Sequence, residues 1–316
     1  MPKHILLPCR DGYQLAAQLW LPPGEARGSV IVSSATGVLA RYYARYAGFL
    51  REQGYTVLTY DYRGIGGSRP TNLRGAGIRW RDWGDYDFDA AVRWMRQRDP
   101  DGLLVAVGHS IGGFMPGFAR AATEVDRFLS VGAQYAYWRD YAPAQRWQMF
   151  ARWHLFMPAV TALYGYFPGR RLGWLEDLPA GVAHEWAFRR ARLEASYPLN
   201  ERDEVLQRFA AIRAPILAVS VTDDEYGTPP ALRRGLDYYR NSHRQHVQLS
   251  PEALGMQKVG HFDLFRERHR DGFWQSTLEW IGTGHNPWPL FEALAPEAPA
   301  TVELVANRPV DDAAAL

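Results

Sequence analysis

At 316 residues the chain is long for an average domain but suits one α/β core with an insertion, large enough to bury roughly 75% of its extended surface without staples. Cys9, the single cysteine, excludes an intramolecular disulfide and a cysteine-rich zinc site, and suits a reducing cytoplasm. The formal charge of +2, with acids set among the arginines as in Arg266-Glu267-Arg268-His269-Arg270-Asp271, gives no one-signed field for nucleic acid. No export signal is read in the first ten residues and no run approaches the roughly 20 apolar residues of a membrane helix, so a cytoplasmic, non-spanning chain is expected.

In chain order, residues 4–8 and 13–20 flank an Arg10-Asp11-Gly12 turn and predict an antiparallel hairpin. Apolar, β-branched runs then alternate with amphipathic stretches: a strand over 29–34, a helix over 42–53, a strand over 56–60, a helix over 83–98 and a strand over 103–107. The last of these runs into Gly108-His109-Ser110-Ile111-Gly112-Gly113 and a helix to about Thr123, followed by a strand over 128–132. From about Tyr135 to Tyr197 the alternation stops and aromatic residues concentrate, which marks an insertion. The rhythm resumes with a strand over 215–221, a helix over 230–239, a strand over 246–249 and a helix over 271–282. This alternation predicts a mostly parallel central sheet flanked by helices. The expected organisation is a core from 1–134 and 207–285, a helical aromatic-rich lid over 135–206, and a Pro/Ala-rich, poorly packed extension over 286–316.

A serine hydroxyl is a poor nucleophile and needs a base, a group to orient that base, and donors for an oxyanion. The order strand, Gly-His-Ser-Ile-Gly, helix is that of a nucleophile elbow, with small residues where strand and helix backbones come close, so Ser110 is the candidate nucleophile. The helix beginning at Ile111 points free N–H groups toward an oxyanion there. A second donor is expected after the strand 29–34; setting Gly37 in the place of a His-Gly glycine makes it the Val38 N–H, and a one-residue slip makes it Gly37. Asp223 and Asp224 follow the strand 215–221 at its carboxyl end, so either is a candidate acid; the Asp-Asp, three residues, Thr-Pro pattern resembles a known family form in which the second, Asp224, is the triad member, with Asp223 the alternative. His261, after the last parallel strand, completes the order serine, aspartate, histidine. His109 should point away from the serine hydroxyl, and His243 and His246 fall on opposite faces of a strand, so no metal site is expected.

With these residues in place the chain resembles the α/β-hydrolase superfamily, and Asp61-Tyr62-Arg63-Gly64-Ile65-Gly66-Gly67-Ser68 matches its recurrent D-x-R-G-x-G-x-S loop. Ala35-Thr36-Gly37 and Tyr164-Gly165-Tyr166-Phe167-Pro168 look like the branch of predicted hydrolases near the serine-aminopeptidase-like group. The resemblance implies the fold and the triad but no substrate. Arg69 occupies the third glycine's place in a dinucleotide fingerprint, so no cofactor is implied.

Trp147, Met149, Phe150, Trp153, Phe156 and Met157 make a stretch apolar nearly all round, which predicts burial on both sides, one against the core and one against a pocket. Trp138, Trp147 and Trp153 are the candidate substrate contacts, and the expected partner is a small molecule with an apolar or aromatic part. The reaction expected is hydrolysis of a carboxylic ester. Thioester or lactone hydrolysis, acyl transfer, aminopeptidase activity anchored by Glu176, Asp177, Glu185 or Glu194, and a non-catalytic binding role are the alternatives. Oligomeric state is not legible.

Overall fold

The computed structural model describes residues 1–294. Within them the strands are β1 (Lys3–Pro8), β2 (Gln14–Trp20), β3 (Ser29–Ser33), β4 (Thr56–Tyr60), β5 (Leu104–His109), β6 (Arg127–Val131), a small ribbon of β7 (Tyr166–Phe167) and β8 (Leu178–Pro179), then β9 (Ile216–Val221), β10 (Arg244–Leu249) and β11 (Glu292–Leu294). All but the ribbon form one sheet in the order β1-β2-β4-β3-β5-β6-β9-β10-β11. The six strands from β4 to β10 are parallel, and β1, β2 and β11 lie antiparallel at the two edges. Every residue of β3, β5 and β9 is buried, as central parallel strands covered on both faces require.

Alternation along the strands divides the core in two. Leu104 and Ala106 of β5 face one side and Val105 and Val107 the other. The second side is covered by α1 (Ala44–Glu52) and α10 (Gln275–Thr283), through Tyr46, Phe49, Leu50, Trp280 and Ile281. The first is covered by α2 (Asp89–Arg98), α3 (Ile111–Phe114), α8 (Leu199–Ala211) and α9 (Pro229–Leu236). Between β6 and α8 the chain also forms the short helices α4 (Arg146–Phe150), α5 (Met157–Tyr164), α6 (Gly169–Leu172) and α7 (Ala180–Ala187).

Three elements differ from expectation. The helix after the elbow ends at Phe114, because Pro116 cannot supply the next N–H, and the chain continues to Glu124 in two 3-10 segments. The 146–157 stretch is not buried all round: Met149, Trp153 and Met157 are buried, whereas Trp147 is 69% and Leu155 58% exposed. Apolar composition predicts burial in one direction only. The start of the extension expected to be poorly packed from 286 is packed, since Trp288 stacks on Phe273 at 5.3 Å and β11 pairs with β10; the remainder of that extension lies outside the described residues.

Candidate active site

Five connections leave the carboxyl ends of β3, β5, β6, β9 and β10 and converge over one edge of the sheet, around the point where the strand order reverses between β3 and β5. Ser110 stands between β5 and α3 with φ 53° and ψ −123°. That backbone conformation costs a non-glycine residue about 1–3 kcal/mol, and it persists only where the surroundings hold it. They do: its N–H donates to Val131 O at 2.8 Å and its carbonyl accepts from the Gly113 N–H at 3.0 Å. The flanking glycines are dictated by contact. A Cβ on Gly108 would lie 2.4 Å from the Gly112 carbonyl, and one on Gly112 would lie 2.4 Å from Ser33 O.

Asp224 and His261 form a buried pair, with Nδ1 of the imidazole 2.7 Å from Asp224 Oδ2. Oδ1 of the same carboxylate accepts the Tyr226 and Gly227 N–H groups, each at 2.8 Å. Burial pushes the Asp224 carboxyl up, but the imidazole and the two backbone donors outweigh it and hold the group below its ordinary value. Gly132 and Gly227 make room for the pair; Cβ atoms there would sit 3.1 Å and 2.5 Å from Asp224 Oδ2. Asp223 points elsewhere, accepting the Val259 and Gly260 N–H groups at 2.9 Å each, and so fastens the loop that carries His261. The imidazole is walled by Tyr226 and Phe262, both with ring centroids 4.9 Å away. Its Nε2 has no hydrogen-bond partner among the described residues, and Ser110 Oγ does not reach it within hydrogen-bonding geometry. The two side chains line one cavity. Contacts of this kind are often long without substrate and tighten when it binds.

That cavity measures about 290 Å³. Ala35, Thr36 and Ile111 line it beside Ser110, and neither the Thr36 nor the Ile111 N–H has a hydrogen-bond partner among the described residues. Val38, the expected second oxyanion donor, is a correction. Its N–H closes a tight turn onto Ala35 O at 3.1 Å, and its side chain lines a neighbouring groove. Residues 37 and 38 line that groove and not the cavity, whereas residue 36 lines the cavity with Ser110. Of the expected tryptophan contacts only Trp153 lines the cavity. Trp138 and Trp147 pack on each other at 5.5 Å outside it, with Phe150 beside them. The indoles that do wall it, with Trp153, are Trp80, Trp174 and Trp186.

Residues 24–252 match the model of the family described as serine aminopeptidase, S33. The chain belongs to that family. Solved structures agree on its α/β-hydrolase fold. A soluble variant of monoglyceride lipase from Saccharomyces cerevisiae, in complex with a substrate analog, superposes with a TM-score of 0.65 at 14% identity, over 89% of this chain and 94% of that one. The Pyrococcus furiosus esterase Pf2001 gives 0.56 at 16% identity, over 90% and 92%. Est1E from Butyrivibrio proteoclasticus, with ferulic acid bound, gives 0.55 at 16% identity, over 88% and 100%. No curated protein sequence matches the chain.

Within this α/β-hydrolase framework the remaining residues singled out from sequence are structural. His109 turns under the elbow, with Nδ1 2.7 Å from the Tyr43 hydroxyl and Nε2 2.8 Å from His261 O; burial pushes its pKa down to about 3. His246 lies against the Ser220 hydroxyl at 2.8 Å, and among the described residues no cluster of His, Cys, Asp or Glu could hold a metal. In the Asp61–Ser68 loop, Asp61 accepts the Ala40 and Gly67 N–H groups and Arg63 is buried on Asp87 at 2.6 Å. The loop is a brace beneath the site. Among the described residues no helix is long and apolar enough to cross a membrane. Thr36, Gln134, Tyr226 and Arg189 line the cavity without having been singled out; the first three follow strand ends, whereas Arg189, past a helix end, gave no signal.

Proposed function

We propose that this chain is a serine hydrolase that cleaves carboxylic esters through an acyl-enzyme on Ser110. The observation that carries the reading is the buried Asp224–His261 contact at 2.7 Å, made through Nδ1 and leaving Nε2 without a protein partner in the cavity that Ser110 lines. An ionised Asp224 keeps the proton on Nδ1, so Nε2 is the basic nitrogen. It takes the Ser110 proton as Oγ attacks the ester carbonyl, and returns it to the departing alcohol. The Ile111 and Thr36 N–H groups receive the oxyanion, each worth about 3 kcal/mol in sites of this type. Water activated by the same nitrogen then releases the acid. Thioesters and lactones fit the same machinery.

The four indole walls, with Tyr226 and Phe262, suit an apolar or aromatic group on the substrate. The 135–206 segment, which supplies three of those indoles, is read as a lid over the site. A second reading, removal of an amino-terminal residue, has one observation in its favour: Glu225 lines the cavity and is placed to meet a substrate ammonium. The acids first considered for that role do not line it, and Asp177 is taken by Arg69 at 2.5 Å. Panels of p-nitrophenyl esters, thioesters, lactones and aminoacyl p-nitroanilides, run on the wild type and on Ser110→Ala, test the choice. Ester turnover that vanishes in the variant supports the proposal. Turnover of anilides alone, or esters cleaved equally by Ser110→Ala, overturns it.

A further inference from the structure

The same cavity contains a cation that the hydrolytic machinery does not use. Arg189, just beyond α7, is 7% exposed, and its guanidinium carbon lies 3.7 Å from the centroid of the Trp80 ring. Nη1 donates to Tyr135 O at 2.5 Å. Nη2 is buried without a partner, and Nε donates to nothing among the described residues. Among the described residues no carboxylate lies within ion-pairing distance of it, and Glu185 acts on it only at longer range. Burial pulls its pKa down, against the opposing pull of Tyr135 and Glu185.

A buried guanidinium without a counter-ion is costly, and groups of this kind are normally paired or functional. Nε and Nη2 together form the side-on fork of arginine, the edge that grips a carboxylate with two parallel hydrogen bonds. Neither donor of that edge has a hydrogen-bond partner among the described residues. Gln134, next in sequence to Tyr135, also lines the cavity and is 4% exposed; its unpartnered amide oxygen is an acceptor, so the grip on a carboxylate falls to Arg189 alone. Trp80 and Arg189 line both this cavity and the next, so the guanidinium stands at the inner wall between them.

Resting on the esterase reading, we infer that the substrate's acyl part carries a carboxylate that docks on the Nε and Nη2 fork of Arg189, so that the preferred substrates are half-esters of dicarboxylic acids. Arg189 is then a specificity-determining residue: it touches the substrate away from the scissile bond. The cation at the other wall, Arg152, stacks on Trp174 at 4.9 Å and is only half-buried, so a carboxylate there would stay in competition with water.

The test compares matched chromogenic esters: mono-p-nitrophenyl glutarate and adipate against p-nitrophenyl pentanoate and hexanoate, and 6-aminohexanoate as the cationic control. For the wild type, kcat/KM should favour the anionic member of each pair by roughly tenfold or more, the scale of a charge-assisted hydrogen bond. Arg189→Met should erase that ratio and Arg189→Lys should keep part of it. Equal or better turnover of the neutral esters by the wild type overturns the inference, as does a ratio that survives in Arg189→Met but is lost in Arg152→Met. Should Arg189→Met fail to fold, as judged by thermal unfolding, inhibition of the wild type decides: free glutarate should compete with substrate and glutaramide should not, and equal inhibition by both counts against the inference. Ester turnover dependent on Ser110 but indifferent to charge sinks this inference alone; absence of Ser110-dependent turnover sinks the esterase reading beneath it.

Discussion

Replacing Asp224 by asparagine changes one atom type in a site whose contacts are otherwise preserved. The Tyr226 and Gly227 N–H groups still meet a carbonyl oxygen in place of Oδ1, so the backbone of the loop stays where it is. At 2.7 Å from His261 Nδ1, however, the carboxylate oxygen becomes an amide NH2, which donates where Oδ2 accepted. The proton on the imidazole moves to Nε2, and the nitrogen facing Ser110 can no longer act as a base. A wrong tautomer of this kind costs roughly 10⁴-fold in turnover, about 5 kcal/mol of transition-state stabilisation, while stability falls by only about 1–3 kcal/mol for the weakened buried contact. Asp223→Asn provides the contrast. It removes one of the two bonds to Val259 and Gly260, because an amide NH2 cannot accept, and should cost tenfold at most, on the scale of roughly 1 kcal/mol. Initial rates on p-nitrophenyl butyrate, with circular dichroism and urea unfolding on each variant, separate the two effects. A folded Asp224→Asn enzyme within tenfold of wild type, or Asp223→Asn as the more damaged variant, would refute this reasoning.

Gly112→Ala should lower the melting temperature and the activity together, because its Cβ would meet Ser33 O at 2.4 Å and push away the loop that carries Thr36; overpacking against backbone costs about 1–3 kcal/mol, and unchanged melting would contradict this. Trp186→Ala should raise KM for aromatic acyl esters roughly tenfold by removing a wall, at about 1.5–3 kcal/mol for one large side chain. Trp147→Ala, on an exposed residue outside the cavity, should leave KM within about twofold. Stability should fall as pH drops from 7 to 5: burial holds His109 near 3 and His246 near 4, below the 6.5 of the unfolded chain, so the unfolded state binds more protons in that window. Linkage then removes on the order of 2 kcal/mol per histidine, readable as a lower urea midpoint at pH 5 and flattened in His109→Asn; equal midpoints at the two pH values would refute it.

What could be read from sequence was whatever repeats with the backbone. The parallel strands announce themselves as fully apolar runs, and the elbow glycines are fixed by sheet-to-helix contact that any chain of this order must make. Ser110 and Asp224 each sit just past a strand end and His261 lies in the loop that follows β10, so the predicted strands pointed to them. Thr36 was missed because the turn from Ala35 to Val38 has no periodicity, and a one- or two-residue change of register decides which N–H faces the serine. The cavity walls were missed for a different reason. Composition marks 135–206 as aromatic but cannot say that Trp147 turns to solvent while Trp153 and Trp186 are buried at the cavity wall. Arg189 looks like any helix-terminal arginine until its neighbours are known, and Trp80, on which it lies, is more than a hundred positions earlier in the chain.

The most direct test of the esterase proposal is the mass of the covalent adduct formed with a fluorophosphonate. Peptide mapping should place a single phosphonyl group on Ser110, with no adduct in Ser110→Ala and labelling slowed by orders of magnitude in His261→Ala. An adduct on any other residue, or full labelling of the His261 variant, would contradict the assignment of nucleophile and base.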